Sequence, residues 1–214
     1  MSLRSEEINR KLLHGLAVAM PAGIFYGPDL LQVSQGMASV VIGGLFGLAL
    51  LIEILRFRST LIGALFRKWF GSMLRVNESR SLTGATYVMG GSFLCSLIAL
   101  QGGLAPAAAF LALTLFILGD AVAALVGKGI GRIRIGGKTL EGALGCFTLC
   151  ALLACLVFPH LQDFPDAWTM PALLLISALV AILELFPIRL GGWCLNDNLY
   201  VPVCVTFITL ALQS

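Results

Sequence analysis

The sequence predicts an all-α integral membrane protein, and composition and hydropathy are the two observations that predict it. The chain has 214 residues, of which 58% are hydrophobic and only 12% are charged. Soluble domains carry about 25% charged residues, so these few charges could not cover the surface of a soluble globule. The mean hydropathy of +0.96 agrees with lipid as the main solvent. A net charge of +3 is too mild to indicate a nucleic-acid partner.

Seven apolar stretches are long enough, or nearly long enough, to span a bilayer as helices. A helix needs about 20 apolar residues to cross about 30 Å of hydrocarbon. In chain order the stretches cover about residues 12–31, 37–55, 83–100, 104–126, 140–158, 170–187 and 198–213. Together they predict a single polytopic membrane domain that occupies residues 1–214. Pro21 predicts a kink or a partly unwound turn in the first stretch.

Residues 59–75 predict an amphipathic helix that lies in the membrane interface and does not cross the bilayer. Apolar residues recur in it at helical spacing, among them Leu61, Leu65 and Trp69. Arg67 falls on the opposite face, where it would contact lipid head groups. Two roles stay open for this helix, namely a simple anchor and a lateral gate for a lipid substrate.

The distribution of cations predicts the orientation of the chain. All 14 lysines and arginines lie before the first stretch or in the loops after the second, fourth and sixth stretches, and the alternate loops contain none. Because positively charged loops stay in the cytoplasm, we place the N-terminus in the cytoplasm and the C-terminus outside. We expect the protein in the cytoplasmic membrane, or in the endoplasmic reticulum membrane of a eukaryote, with its active site facing the cytoplasm.

Five carboxylates lie at, or within about two turns of, the cytoplasmic ends of five different spans. Carboxylates at membrane depth are costly and normally face the interior of a bundle with a partner, so together they predict an acidic ring. The alternative is pairwise neutralisation, for instance of Glu53 by Arg56 at i,i+3. The five residues are Glu53, Asp120, Glu141, Glu184 and Asp197.

The loop of about residues 127–139 predicts a phosphate-binding site. Its glycines let backbone N–H groups approach an anion, and its lysines and arginines neutralise one. Thr139 would begin the next helix, whose free N–H groups favour phosphate, and Asp120 offers an oxygen ligand for Mg²⁺. The alternative is a basic loop that contacts anionic lipids. The candidate phosphate-binding residues are Gly127, Lys128, Gly129, Gly131, Arg132, Gly136, Gly137, Lys138 and Thr139.

Six short motifs follow one another along the chain. They are R-K-x-x-H at 10–14, E-x-x-R at 53–56, T-G-A-T-Y at 83–87, G-D-A-V-A-A-L-V-G-K-G-I-G at 119–131, G-K-T-L-E-G at 137–142, and Glu184 followed by D-N-L-x-x-P at 197–202. In this order they resemble the CTP-dependent polyprenol and lipid kinases, which include dolichol kinase, phytol kinase and the CTP-dependent diacylglycerol kinase. The chain is short beside dolichol kinases, which carry many extra spans.

The resemblance implies a Mg²⁺-dependent transferase of lipid metabolism, with CTP as the phosphoryl donor. Its acceptor would be the hydroxyl of an isoprenoid alcohol (a polyprenol or a phytol-like lipid) or of diacylglycerol, which would connect it to phospholipid biosynthesis. The expected partners are a nucleoside triphosphate, a lipid alcohol and the bilayer, with no nucleic acid. Homo-oligomerisation is left open.

On this basis each candidate residue receives a role. The metal ligands are Asp120, Asp197 and Glu184. The cations that would clamp phosphate from the first span are Arg10 and Lys11. Three side chains compete for activating the alcohol: Glu141, Glu53 and His14. Together with Asp120, Lys11 and Lys138 they form the catalytic set.

Two other functions stay open. In the related phosphatidate cytidylyltransferases a substrate phosphate attacks the α-phosphorus of CTP and yields a CDP-lipid. Their C-terminal signature, H-G-G before a D-R pair, is absent from this chain, which favours a kinase. The second alternative is a small transporter, because intramembrane carboxylates also line ion paths.

Overall fold

A computed structural model describes residues 17–71, 78, 81–190 and 193–213. Three predicted site residues lie outside the described residues: Arg10, Lys11 and His14. The described part consists of helices and two short β-hairpins. Its helices are α1 (Ala19–Phe25), α2 (Gly27–Leu31), α3 (Gln35–Arg58), α4 (Thr60–Phe70), α5 (Gly84–Ala99), α6 (Ala105–Gly129), α7 (Leu140–Leu152), α8 (Met170–Leu185) and α9 (Asp197–Ala211).

The described part of the first predicted span is divided between α1 and α2. The break lies at Tyr26, and Pro28 sits in the first turn of α2. Pro21 lies close to the start of α1, where the missing N–H of a proline does little harm. The two helices therefore meet at Tyr26. The described residues begin at 17, so the kink or unwinding at Pro21 stays a prediction.

Three described segments are long and apolar enough to cross a membrane. They are α3, α6 and the segment that begins with α7. That segment continues through a π-helical turn (Leu153–Val157) and a 3-10 turn (Phe158–His160). Helices α5, α8 and α9 are also apolar but shorter. This architecture is consistent with an all-helical membrane protein.

Helix α6 is the central helix of the described bundle. It packs against α1, α5, α7, α8 and α9, and 61% of its most apolar stretch is buried, against 17% for α3. Its first half is rich in small, buried side chains that let neighbouring helices approach closely. These include Ala105, Ala107, Ala108, Ala109 and Ala112.

A cluster of aromatic rings fills one end of the bundle. Phe110, in the first half of α6, stacks on Phe25 with ring centroids 5.2 Å apart. Phe110 also contacts Phe158, which in turn contacts Phe164. Because Phe110 lies near the N-terminus of α6, these rings and the segment after the C-terminus of α6 mark opposite ends of the bundle.

Helix α4 begins directly after α3. Ser59 ends α3, and its hydroxyl accepts a hydrogen bond from the N–H of Ile62 in the first turn of α4. Helix α4 packs on α3 and leaves Leu61, Leu65 and Trp69 exposed. The amphipathic helix predicted for 59–75 thus runs from Thr60 to Phe70 in the described residues.

A β-hairpin follows α6. Strand β1 (Arg134–Ile135) pairs antiparallel with β2 (Lys138–Thr139), and Ile135 lies opposite Lys138. Gly136, in the two-residue turn, has a φ of 61°, which glycine adopts without steric strain. The hairpin places Lys138 beside the ends of other helices.

A second hairpin joins α8 to α9. Strand β3 (Arg189–Leu190) pairs antiparallel with β4 (Trp193–Cys194). Neither hairpin is among the elements predicted from the sequence. In both, a Gly-Gly pair separates two short segments, and a two-residue glycine connection is a recognised hairpin signal.

Candidate active site

Lys138 joins two carboxylates that come from different helices. Its Nζ donates to Oε1 of Glu184 and to Oδ2 of Asp197, both at 2.7 Å. Glu184 lies in the last turn of α8 and Asp197 begins α9, so the first hairpin is tied to both helix ends. We call Lys138, Glu184 and Asp197 the lysine cluster.

The lysine cluster is only partly buried. The side chains of Lys138 and Asp197 are 25% and 21% exposed, whereas that of Glu184 is 5% exposed. Burial by itself would lower the pKa of Lys138, because it disfavours the charged amine. The charges of Asp197 and Glu184 outweigh burial and raise the pKa of Lys138 above its usual value. Lys138 is therefore a cation at neutral pH.

Asp120 adds a third carboxylate near this cluster. It lies in the second half of α6 and acts electrostatically on Glu184, as Asp197 does. Three of the five predicted acids, from α6, α8 and α9, are thus brought together. Their location at one level of the bundle is predicted from the sequence, but the position of Lys138 between two of them is not.

Among the described residues, the predicted metal ligands do not form a complete metal site by themselves. Within the described residues, no group of three or more His, Cys, Asp or Glu side chains is arranged as a metal site, and Lys138 already bonds to two of the predicted ligands. Mg²⁺ commonly takes only one or two protein carboxylates and completes its shell with phosphate oxygens and water. Asp120 and the partly exposed Asp197 offer the hard oxygen ligands that such an arrangement requires.

Some of the predicted phosphate-binding glycines serve helix packing. Helix α6 continues through Gly129, so the loop begins at Ile130. A Cβ on Gly131 would lie 2.2 Å from the carbonyl oxygen of Gly127, and one on Gly127 would lie 2.6 Å from Oγ1 of Thr139. These two glycines therefore allow the end of α6 to meet the start of α7.

The other loop glycines face open space. A Cβ on Gly129, Gly136 or Gly137 would have no neighbouring atom within 4 Å. The side chains of Lys128 and Arg132 beside them are exposed. This open, basic part of the loop keeps the features on which the phosphate-binding prediction depends.

Two of the first backbone N–H groups of α7 already donate hydrogen bonds to acceptors within the protein. The N–H of Leu140 donates to the carbonyl of Ile133 at 2.9 Å, and that of Gly142 donates to Oγ1 of Thr139 at 3.1 Å. The carboxylate of Glu141 accepts from the N–H of Ile133 at 3.1 Å. Thr139 and Glu141 therefore stabilise the junction between hairpin and helix. The N–H groups of Leu140 and Gly142 are not free, contrary to the prediction for this helix end.

Glu53 takes part in a second ion pair. It is 2% exposed and pairs with Nε of Arg56. Its Oε1 also accepts from the N–H and hydroxyl of Thr83, at 2.9 and 2.7 Å, and from the hydroxyl of Thr86 at 2.9 Å. We call Glu53, Arg56, Thr83 and Thr86 the clasp. Four protein donors already use the acceptor sites of this carboxylate, which is the pairwise neutralisation left open above.

Arg56 extends the clasp to the backbone and to two aromatic rings. Its Nη2 donates to the carbonyls of Glu78 and Ser81 at 2.9 and 2.6 Å. Its guanidinium carbon lies 4.4 and 4.7 Å from the ring centroids of Phe57 and Phe66, within the range of a cation–π contact. Arg56 is itself buried.

The predicted acidic ring therefore divides into separate arrangements. Three carboxylates gather at the lysine cluster, whereas Glu53 is bonded in the clasp and Glu141 at the hairpin–helix junction. Sequence reasoning missed Thr83 and Thr86 as partners of Glu53. The available signal was their T-G-A-T spacing at the start of a span, close to the same membrane level as Glu53.

The chain is similar to the dolichol kinase of Saccharomyces cerevisiae, with 37% identity over 102 residues. That match covers 44% of this chain and 18% of the yeast protein, so the chain spans less than a fifth of that relative. It is also similar to an uncharacterized protein, RP860, of Rickettsia prowazekii, with 25% identity over 201 residues, covering 92% of this chain and 90% of the relative. No family model and no solved structure matches the chain.

The partial similarity to dolichol kinase supports a polyprenol-kinase-like family at most, and suggests a lipid kinase. The apolar helices suggest a location in a membrane. These two findings agree, because the acceptor of such a kinase is itself dissolved in lipid.

Proposed function

We propose that the protein is a membrane lipid kinase that transfers the γ-phosphate of CTP to the hydroxyl of a lipid alcohol. The acceptor is an isoprenoid alcohol or diacylglycerol. The observation that carries the proposal is the lysine cluster, a partly exposed cation and carboxylates at the ends of apolar helices, next to an open basic loop. The partial similarity to dolichol kinase supports phosphoryl transfer, and the six motifs support CTP as donor.

The position of the lysine cluster suits two substrates of opposite solubility. A long-chain alcohol keeps its tail in lipid and its hydroxyl at the interface, while a nucleotide arrives from water. The lysine cluster lies where α8 ends and α9 begins, beside the hairpin after α6. The positive-inside rule assigns this end to the cytoplasm in our proposal, with seven spans and a cytoplasmic N-terminus.

The protein's own part in the reaction is to position the substrates and to neutralise charge, as in other phosphoryl transfers. Lys138, Lys128 and Arg132 would bind the phosphates, with Arg10 and Lys11 from the first span. Gly129, Gly136 and Gly137 would leave space for the phosphates to approach the backbone. When bound, Mg²⁺ would be held by Asp120 and Asp197, with Glu184 behind them, and would offset the negative charge of the phosphates.

Glu141 is a better candidate than Glu53 for accepting the proton of the alcohol. Glu53 is enclosed and fully bonded in the clasp. Glu141 is partly exposed at the junction between hairpin and α7, where its carboxylate can meet a hydroxyl at the interface. His14 remains a candidate from the first span.

The experiment that tests this proposal combines purified protein in lipid vesicles with a panel of lipid alcohols and nucleotides. The panel contains a polyprenol, phytol and diacylglycerol, each with CTP, ATP, GTP or UTP and with Mg²⁺ or EDTA. We expect a phosphorylated lipid with CTP and Mg²⁺, loss of activity in EDTA, and recovery when Mg²⁺ is restored. Equal activity with ATP would contradict the choice of CTP. No phosphorylated lipid with any pair would contradict a lipid kinase.

A further inference from the structure

Helix α4 carries a surface that fits a bilayer interface. Leu61, Leu65 and Trp69 follow one another at four-residue spacing and are 69%, 48% and 73% exposed. Arg67 and Lys68 are exposed as well. A helix with an apolar stripe and a cationic face lies in the interface, with its cations among anionic head groups. Since α4 follows directly on α3, a candidate span, the occupant that fits this stripe is the lipid bilayer.

Arg56 ties this helix to the clasp. The ring of Phe66, in α4, lies 4.7 Å from the guanidinium carbon of Arg56, and that of Phe57, in α3, lies 4.4 Å from it. A Cβ on Gly63 would lie 2.8 Å from the carbonyl oxygen of Arg56, so α4 passes close to the end of α3. The contact between α4 and Arg56 is therefore both aromatic and steric.

The clasp is tied in turn to the start of α9. Glu53 holds Thr83, which caps the N-terminus of α5. The carbonyl of the next residue, Gly84, accepts from Nδ2 of Asn198 at 3.3 Å. The N–H of Asn198 donates to Oδ1 of Asp197 at 3.0 Å. A series of contacts and hydrogen bonds therefore connects α4, through Arg56 and the clasp, to Asp197 in the lysine cluster.

We propose that Arg56 is a positioning residue that fixes the bilayer-docked helix α4 relative to Asp197. These contacts then fix the depth of the lysine cluster relative to the membrane interface, where the hydroxyl of an acceptor lipid lies. Arg56 is buried among Glu53, Phe57 and Phe66 and acts through them. The link from α4 to α9 stands on the structure alone, and its effect on an acceptor lipid rests on the proposed function.

The test compares Arg56→Lys with Arg58→Lys in vesicles that contain anionic lipid. Lysine keeps the charge but lacks the planar fork that bonds Glu53 and two carbonyls together. Arg58 is an exposed cation at the end of the same helix and is the matched control. Phe66→Leu is a milder second variant, since it removes the ring over Arg56 and leaves the hydrogen bonds of the clasp in place.

The first measurement is amide hydrogen exchange, which needs no enzymatic activity. We expect Arg56→Lys and Phe66→Leu to speed exchange both in α4 and at the start of α9, and Arg58→Lys to match the wild type. A change in α4 that does not reach the start of α9, or no change in either, would overturn the proposal. This outcome is independent of whether the protein is a lipid kinase.

The second measurement separates positioning from general damage. We expect Arg56→Lys to raise the KM for the acceptor lipid about tenfold and Phe66→Leu about threefold, from the usual size of such contacts. The KM for the nucleotide should rise less, because both variants leave the bonds from Lys138 to Glu184 and Asp197 in place. Equal rises in both KM values, or none in either, would overturn the positioning role. If the wild type transfers no phosphate, the proposed function fails and hydrogen exchange still decides the link.

Discussion

The clasp and the lysine cluster both pair carboxylates with a cation at helix ends, but they differ in what they leave accessible. In the clasp, the side chains of Glu53 and Arg56 are 2% and 5% exposed and are enclosed by protein partners. In the lysine cluster, Lys138 and Asp197 are 25% and 21% exposed and lie beside an open glycine turn. An enclosed ion pair can hold helices together, whereas a partly exposed one can exchange a partner for a ligand.

The largest effect is expected at Asp120. Asp120→Asn keeps the size of the side chain but removes the carboxylate charge near the lysine cluster. We expect phosphate transfer to fall about a hundredfold or more, as when one preorganised electrostatic group is lost, while the midpoint of thermal unfolding stays close to that of the wild type. Transfer of label from γ-labelled CTP into lipid measures the first quantity. Undiminished transfer would remove Asp120 from the site.

Breaking the clasp should lower the free energy of unfolding more than it lowers the rate of phosphate transfer. Glu53→Gln leaves the buried Arg56 without its ionic partner, and breaking a buried pair in this way costs about 3 kcal/mol. Denaturant unfolding in detergent measures the loss, and Asp29→Asn, an exposed acid, is the control that should change little. If Glu53→Gln kept its stability and lost transfer, Glu53 would be a catalytic residue after all.

The two kinds of loop glycine should respond differently to alanine. Gly131→Ala would place a Cβ 2.2 Å from the carbonyl oxygen of Gly127, and such overpacking costs about 2 kcal/mol. Gly129→Ala meets no atom within 4 Å and should leave the free energy of unfolding nearly unchanged. Equal destabilisation by both variants would contradict the division into packed and open glycines.

A smaller effect is expected when Lys138 loses its charge. Lys138→Met should weaken equilibrium binding of CTP about tenfold, since one charge-assisted hydrogen bond contributes roughly 1.5 kcal/mol or more. The matched control is Arg134→Met, which neutralises an exposed cation of the same hairpin and should weaken binding less. Equal losses would point to the overall charge of the hairpin and not to the lysine cluster.

The smallest effect is the pH dependence of the lysine cluster. The pKa of Lys138 is raised above its ordinary value of 10.5 by Asp197 and Glu184, against the effect of burial. A cation with a raised pKa contributes stability fully below its unfolded pKa and loses it as the pH rises through its folded pKa. The difference in unfolding free energy between wild type and Lys138→Met should thus stay constant from neutral pH to about pH 9. A decline within that range would contradict the ion pairing of Lys138.

The clasp and the lysine cluster also differ in how far they could be predicted from the sequence. The helical spans could be predicted because crossing a bilayer requires only a segment of sufficient length and hydropathy, which is a local property of the sequence. Glu53 and Arg56 could be considered as an ion pair because they are three residues apart. The bond from Lys138 to Asp197 joins residues 59 positions apart, and no local pattern encodes it. It depends on how α6, α8 and α9 pack.

Other residues of the candidate site have a packing role that the sequence does not show. Gly127 and Gly131 were assigned to phosphate because glycine admits close approach, and the approaching group is in fact Thr139 of the protein itself. A glycine in a sequence indicates that another group approaches its backbone closely, but it does not identify that group. The Gly136-Gly137 pair is a local signal for a hairpin. In the structure, this hairpin places Lys138 beside Glu184 and Asp197.

In our proposal, the lysine cluster serves transfer of the γ-phosphate of CTP to a lipid hydroxyl. The most direct measurement gives the protein in vesicles two preparations of CTP, labelled on the α- or on the γ-phosphate, and follows which label enters the lipid. We expect the γ-label in a phosphorylated alcohol, no α-label, and neither label with Asp120→Asn. The α-label in a CDP-lipid, or γ-label transfer that survives Asp120→Asn, would contradict the proposal.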